Sequence, residues 1–470
     1  MICFDLFIVT ITFLLSPFFI SNYDDVIKQF GGYLVILPAL LSVWGIFLHS
    51  FGMYESFRTK SITEVLFPVI ETALVGGGLL GSFVFITKTQ TITSGHLFYS
   101  FFMASVLLCS EKILLLLFLH YQRKKGFNTK NVLIVGTGKR AQHFINTINK
   151  NIEWGIKVIG IVDNDAAKIN SMVCGIKVIG EVKDIPSIIH NNVVDEVMFV
   201  VPRSWLNTVE EMIRYLCDIE GLKVSVAVDL FTLNLARTKY SHITPDTIGK
   251  TNSYLSEFPL LIFESAPDKL LQLFVKRLFD IICSGIALIM LFPLFAIAAI
   301  AIKATSQGPL FFTQQRCSLN GRVFKLYKFR TMVVDAEKKL DELLKNNEMQ
   351  GPVFKMENDP RVTKIGRILR KYSIDEFPQF WNVFKGDMSL VGPRPPIPKE
   401  VEKYEPWHRR RLSMRPGLTC IWQMSGRNKI TDFDEWMRLD LEYIDKWSIW
   451  LDFKILFGTV PVVMAGSGAK

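Results

Sequence analysis

Asp375 and Glu376 stand side by side, shortly after Arg370 and ahead of Arg394 in a Gly-Pro-Arg-Pro turn. Adjacent carboxylates can divide two tasks. One can attack as a nucleophile while the other holds a hard cation. Arginine forks match phosphate oxygens in shape and charge. These residue types favour attack on phosphorus. A diphosphate repels a carboxylate until cations neutralise it, and an acyl phosphate splits one difficult transfer into two. Taken alone, Asp-Glu before Pro378 is a helix-start signal. It places an N-cap near Asp375–Phe377 and both carboxylates at the positive end of a helix dipole.

Several elements must position this pair. Between Arg361 and Lys371, Val362, Ile365, Ile368 and Leu369 share one helical face. Arg361, Lys364, Arg367 and Lys371 line another, facing solvent or lipid heads, and Arg370 falls one turn before the carboxylates. Upstream, Leu278–Ile302 is apolar enough to enter a bilayer, with Pro293 in mid-run. Lys276 and Arg277 precede it and Lys303 follows. Cations on both flanks do not favour crossing, and a proline breaks a helix. The pattern predicts a re-entrant helix that dips into one leaflet and returns. A plain fifth span is the alternative; it leaves the carboxylates outside the cell, away from any nucleotide.

The totals agree with a membrane protein carrying soluble parts. The 470 residues are 49% apolar, and their mean hydropathy is +0.27. That length predicts two or three domains. The net charge of +10 is concentrated after residue 270. It points to anionic lipid heads or phosphorylated substrates, and no aromatic–basic nucleic-acid motif accompanies it. None of the seven cysteines forms Cys-x-x-Cys, which predicts free thiols in a reducing compartment.

Four apolar runs (Phe4–Ile20, Gly32–Phe51, Val65–Thr87 and Leu97–Tyr121) predict a four-helix transmembrane domain over residues 1–125. The first lacks a basic leader and a small-residue cleavage site, so it reads as a retained helix. Arg58, Lys60 and Arg123 to Lys125 put both ends of this domain in the cytoplasm.

Residues 126–250 read as a Rossmann-like α/β domain. A strand from Asn131 runs into Gly136-x-Gly138-x-x-Ala141, then a helix to about Lys150. A second strand over Lys157–Val162 ends at Asp163, with later strands at Glu196–Val201 and Lys223–Val228. Such glycines serve a dinucleotide or tight strand–helix packing, so bound nucleotide and a structural or oligomerising role both stay open. A membrane-linked sugar dehydratase or epimerase is one rival. Its Tyr-x-x-x-Lys pattern occurs only at Tyr121–Lys125, before the glycine loop. A non-enzymatic scaffold or regulator is another. Residues 251–273 read as a linker to a mainly helical domain over 274–470. Trp407, Trp436, Trp447 and Trp450 suit either a membrane interface or a core, and Phe453–Ala465, with Pro461, is expected to lie at the surface.

The ordered motifs of the last domain carry a resemblance. They are Lys-Phe-Arg-Thr-Met (328–332), Asn-Asp-Pro-Arg (358–361), Ser-Ile-Asp-Glu-Phe-Pro-Gln (373–379), Gly-Asp-Met-Ser-Leu-Val-Gly-Pro-Arg-Pro (386–395), Pro-Gly-Leu-Thr (416–419) and Trp-Gln-Met-Ser-Gly-Arg (422–427). The chain resembles the bacterial sugar transferases, or monotopic phosphoglycosyl transferases, in their long form acting on undecaprenyl phosphate. The resemblance implies transfer of a hexose-1-phosphate, galactose or glucose, from a UDP-sugar to undecaprenyl phosphate with release of UMP. It implies Asp375 as nucleophile, Glu376 as Mg²⁺ ligand, and Arg370 and Arg394 at the substrate phosphates, with Lys328 and Arg330 on the same rim. Gln423 and Arg427 would lie toward the nucleotide. Pro293 would break the membrane helix, here after Phe292 where the family often has serine. Cys420 stands where the family often has glycine. A catalytic domain on the cytoplasmic face of the bacterial inner membrane, and a homodimer, are further implications.

Overall fold

The computed structural model describes residues 1–20, 23–54, 56–87, 94–227, 260–263, 270–333, 335–336, 359–424 and 432–464. The chain divides into two compact units: Met1–Lys130 with Ile145–Lys157, and Asn131–Phe144 with Val158–Lys470.

The first unit is built on α1 (Ile2–Ile20), α2 (Tyr23–Ser50), α3 (Ile62–Thr87) and α4 (Ser94–Lys124). Three spans, Gly32–Ser50, Ile62–Thr87 and Gly95–Lys124, are long and apolar enough to cross a membrane. The apolar stretch of α1, Phe4–Ile20, is shorter. Phe13, Trp44, Val69 and Leu108 are fully buried, while Leu74, Phe85 and Phe98 face outward. Helices apolar on both faces suit lipid as solvent. Lys112 on α4 is buried with Asp5 of α1 at 2.5 Å and Glu111 at 2.7 Å. Arg58, read from sequence as a topogenic cation, donates to the carbonyls of Trp154 and Gly155 at 2.8 and 3.2 Å.

A mixed sheet follows. Its strands are β1 (Lys130–Val135), β2 (Ile156–Asp163), β3 (Met172–Val173), β4 (Ile176–Glu181), β5 (Glu196–Phe199), β6 (Lys223–Ala227) and β7 (Leu260–Phe263). They lie in the order β3-β4-β2-β1-β5-β6-β7. Pairs β1/β5, β2/β4 and β5/β6 are parallel, while β3/β4 and β6/β7 are antiparallel. Helices α5 (Lys139–Lys150), α6 (Ile185–Asn191) and α7 (Leu206–Arg214) connect the strands. Leu133, Val135, Val197, Phe199 and Val224 are fully buried, as continuous apolar strands covered on both faces should be. Gly136 has φ +112°, and an added Cβ would meet Val200 O at 2.5 Å. The expected strands lie within a residue or two of these. Leu260–Phe263 is a correction: it falls inside the expected linker but pairs with β6, because its apolar edge completes the sheet. The rest of residues 228–269 lies outside the described residues.

The last part begins with α8 (Leu270–Met290) and α9 (Phe292–Thr305), bent by 57° on either side of Leu291. Pro293 sits in the first turn of α9, where its missing N–H costs nothing. Next come the hairpin β8 (Phe311–Cys317) and β9 (Val323–Phe329), then α10 (Lys364–Lys371), α11 (Gln379–Lys385), β10 (Ser389–Val391), α12 (Pro398–Val401), β11 (Gly417–Thr419), α13 (Ile421–Met424), α14 (Phe433–Asp445) and α15 (Ile449–Met464). The region is mainly helical, as expected, with a hairpin and a parallel pair β10/β11 added.

The cations before the bent helix do not act as free flanking charges. Lys276 is buried, 2.6 Å from Asp452 of α15 and 2.8 Å from Val391 O. Arg277 donates to Val383 O and Phe384 O at 2.7 and 2.8 Å, closing the C-terminus of α11. Asp280 accepts from Leu390 N at 2.9 Å. So α15, expected at the surface, packs one face inward through Asp452 and Ile455 and leaves Phe457 exposed. Trp436 and Trp447 are core residues, whereas Trp450 is 78% exposed.

Removing one partner of a buried ion pair strands the other, at a cost of about 3–5 kcal/mol. Lys276→Met is therefore expected to lower the denaturation midpoint of purified protein sharply. Lys276→Met with Asp452→Leu should recover most of that loss in the same assay.

Candidate active site

The carboxylate pair occupies a tight turn. Ser373 has φ +54°, in the left-handed region, and the chain then forms a single 3₁₀ turn over Ile374–Glu376. Glu376 N donates to Ser373 O at 3.1 Å, and Phe377 N to Ile374 O at 3.2 Å. Pro378 is the N-cap of α11, so the carboxylates precede the helix by one short turn. The sequence reading put the N-cap slightly earlier; the left-handed Ser373 shifts it.

Helix α10 delivers Arg370. It starts at Lys364 because Thr363 caps it, accepting from Gly366 N at 2.9 Å. Arg361 thus lies outside the helix and off the expected exposed face; it is buried, with Asp359 oxygens at 2.6 and 2.9 Å. A Cβ on Gly366 would sit 2.0 Å from Thr331 O, so only glycine permits this approach. Arg370 Nε then donates to Thr331 Oγ1 at 3.0 Å.

Strand β9 delivers Lys328, whose Nζ is 2.8 Å from Glu376 Oε1. Asp375 is only 8% exposed. Burial raises its carboxyl to about 6, and Glu376 adds to the rise, while Lys328 and Arg370 pull it down. Burial also lowers the Arg370 guanidinium, which Asp375 opposes. The structure therefore brings Asp375, Glu376, Lys328 and Arg370 into one electrostatic cluster.

The other candidates divide. Arg394 lies over the Trp436 ring at 5.0 Å, and its carbonyl accepts from Arg411 at 2.9 Å. Its turn is held where β10 meets β11: Gly392 N donates to Thr419 O at 3.0 Å and Gly417 N to Pro393 O at 2.8 Å. The glycines of the two motifs face one another with no space for side chains. Arg330 does not join the cluster. It binds Gln307 O at 2.7 Å and Ser306 O at 2.9 Å, tying the end of α9 to the hairpin. Gln423 lies on α13, its Oε1 buried without a partner among the described residues. Arg427 lies outside the described residues.

Two residues were missed from the sequence. Thr331 matters through its bond to Arg370, which joins segments too far apart in sequence for a local pattern to link them. Arg316 on β8 donates to Pro395 O at 2.8 Å. Burial lowers it to about 10, and neighbouring Arg394 contributes. It remains cationic at neutral pH and supports the turn that carries Arg394; nothing in the local sequence marks it.

No cluster of three or more Asp, Glu, His or Cys side chains suits a metal among the described residues. The donors at hand are the Asp375 and Glu376 oxygens. This fits Mg²⁺, which usually takes one or two carboxylates with substrate phosphates and waters completing its shell.

In the sheet domain, Asp163 is buried and accepts from Thr137 Oγ1 at 2.5 Å and Lys168 Nζ at 3.2 Å. The carboxylate that the sequence reading assigned to a ribose is thus bonded to protein partners.

The bacterial sugar transferase family profile matches residues 271–466, and a CoA-binding domain profile matches residues 49–220. The chain is 36% identical to galactosyl transferase CpsE of Streptococcus agalactiae, across 97% of this chain and 96% of that one. This chain belongs to the bacterial sugar transferase family. It is also 34% identical to the undecaprenyl-phosphate galactose phosphotransferase of Salmonella typhimurium, across 74% of this chain and 71% of that protein. The exopolysaccharide production protein ExoY of Sinorhizobium fredii is 40% identical but matches only 41% of this chain, across 87% of its own length.

The raised Asp375 carboxyl gives a signed expectation. Its folded value of about 6 exceeds the ordinary 3.8, so the native state holds this proton more tightly. Ionising Asp375 therefore costs stability as pH rises from about 4 to 6, on the order of 2–3 kcal/mol. With chelator present, Asp375→Asn should melt higher than wild type at pH 8 and level with it at pH 4. Equal melting at both values removes the buried-carboxyl reading.

Proposed function

We propose that this protein transfers hexose-1-phosphate, galactose foremost, from a UDP-sugar to undecaprenyl phosphate and so begins a surface polysaccharide. The observation that carries the reading is a buried carboxyl, Asp375, set among Lys328, Glu376 and Arg370 in a domain whose bent apolar helix suits a bilayer. The names of the Streptococcus and Salmonella relatives support galactose as the sugar.

In the proposed reaction, an Asp375 oxygen attacks the phosphorus that bears the sugar. The bond from that phosphorus to the bridging oxygen breaks, and UMP leaves with the bond's electron pair. The product is an acyl phosphate joining Asp375 to the sugar phosphate. An oxygen of undecaprenyl phosphate then attacks the same phosphorus and displaces the Asp375 carboxylate, giving the lipid-linked diphosphate sugar. Attack needs an ionised carboxylate, and Lys328 and Arg370 favour ionisation against burial. Arg394, backed by Arg316, would meet the second phosphate. Mg²⁺, held through Glu376, would neutralise diphosphate charge.

The 57° bend at Leu291 supports a re-entrant helix pair, with α1 to α4 forming a four-helix membrane bundle over residues 1–125. A cytoplasmic catalytic domain at the bacterial inner membrane follows from the topogenic cations and the cytosolic nucleotide donor. The outward Trp450 suits the membrane surface.

The test uses UDP-galactose labelled in its β-phosphate. Without lipid acceptor, wild type should gain one sugar phosphate, located by mass spectrometry on Asp375. Asp375→Asn should lose UMP release by at least 10³-fold, as expected when a covalent nucleophile is removed. An adduct on another side chain, or an active Asp375→Asn protein, sinks the mechanism.

A further inference from the structure

Two acidic residues of the sheet domain grip the segments that carry the site's cations. Asp195, at the entrance to β5, is almost buried. It accepts from Arg322 Nη1 and Nη2 at 2.5 and 2.7 Å, and from Asn320 Nδ2 at 2.8 Å. Both donors belong to the tip of the β8–β9 hairpin, where Asn320 adopts φ +55°. A fourth bond, from Asn131 N at 2.7 Å, fixes the carboxylate to the end of β1. A bidentate arginine–carboxylate pair sets direction as well as distance.

The second grip is at Glu220, whose side chain is 2% exposed. Its Oε2 receives Arg409 Nε at 3.2 Å, while Tyr215 donates to its Oε1 at 2.8 Å. Arg409 belongs to the 3₁₀ segment Pro406–Ser413. Two residues on, Arg411 donates to the Arg394 carbonyl and binds Asp440 at 2.5 Å.

Each grip leads to a site cation along a short, stiff path. From Arg322, β9 runs six residues to Lys328, held throughout by its ladder with β8. From Arg409, two residues reach Arg411 and hence the backbone of Arg394. A paired strand transmits a displacement of its end because its ladder resists bending. A hairpin free at its tip would let Lys328 wander, since two strands alone are marginally stable.

We infer that Asp195 and Glu220 are positioning residues of the transferase reaction: through Arg322 and Arg409 they make the sheet domain a jig that holds Lys328 and Arg394 against the substrate phosphates. This rests on the proposed reaction. It also gives the sheet domain a task that needs no nucleotide, in keeping with its protein-held Asp163. The bacterial sugar transferase profile covers residues 271–466 and takes in neither Asp195 nor Glu220, so the jig tunes a site that the transferase domain itself builds. The expected effect is accordingly partial.

The experiment uses full-length protein in nanodiscs and two readouts. Arg322→Ala removes the bidentate grip from a half-exposed side chain, and Arg322→Lys keeps the charge with one donor group. Hydrogen exchange by mass spectrometry should show Arg322→Ala losing protection along β9 as far as Lys328. UMP release should fall five- to twentyfold, with Arg322→Lys recovering part of it. A Glu220→Gln variant should act mainly on KM for the UDP-sugar, since the grip it weakens leads to Arg394. Exchange changes confined to residues 318–322, or turnover by Arg322→Ala within twofold of wild type, would overturn the inference. Wild-type protein that forms no phosphosugar adduct strikes the reaction itself. The reach of the exchange effect then still decides the jig.

Discussion

The structure of the transferase domain depends on one constraint: an apolar helix must carry charges into a protein core and have each one matched. Lys276, Arg277 and Asp280 lie within little more than one turn of α8. They meet Asp452 with Val391 O, the last carbonyls of α11, and Leu390 N. Unmatched, each would cost several kcal/mol. Matched, they set the register of the bilayer-suited helix pair against the segment that follows the carboxylates. The placement of α8 against that segment is therefore decided by one ion pair and by hydrogen bonds to backbone groups rather than by a flexible tether.

On that frame the site is built from short irregular pieces. A left-handed serine, a single 3₁₀ turn and a proline N-cap hold Asp375 and Glu376. A glycine pressed on Thr331 O brings α10 close enough for Arg370 to reach the same threonine. Two further glycines let the β10 and β11 loops meet and aim Arg394. Each device trades local comfort for placement, as is common where chemistry is done. The same low-dielectric setting that raises Asp375 also strengthens its attraction to Lys328 and Arg370.

The two larger flanking parts have different demands. The first unit is apolar outside and in, yet it buries Lys112 between Asp5 and Glu111. The sheet domain has the strand order of a nucleotide-binding fold, with its reversal between β1 and β5. Its Asp163 is nonetheless taken by Thr137 and Lys168. A fold suited to a cofactor is here compatible with a purely mechanical task.

Much was legible in the residue order. Long apolar runs declare lipid-suited helices because hydropathy is a sum over neighbours. The Gly136 turn and its strands declare a parallel sheet because period and punctuation are local. The acidic pair and its cations were visible because they recur as short motifs. Lys328 and Arg330 look alike for the same reason, two positions apart, one on β9 and one just past its end. Only the tertiary structure separated them, turning Lys328 to Glu376 and Arg330 to the Ser306–Gln307 carbonyls. It also moved Lys276 and Arg277 from flanking charges to core partners, enlisted Thr331 and Arg316, and joined Asp195 to Arg322. These outcomes depend on contacts between residues tens to hundreds of positions apart. Charge and burial there are set by whatever the fold places opposite, which no local pattern encodes.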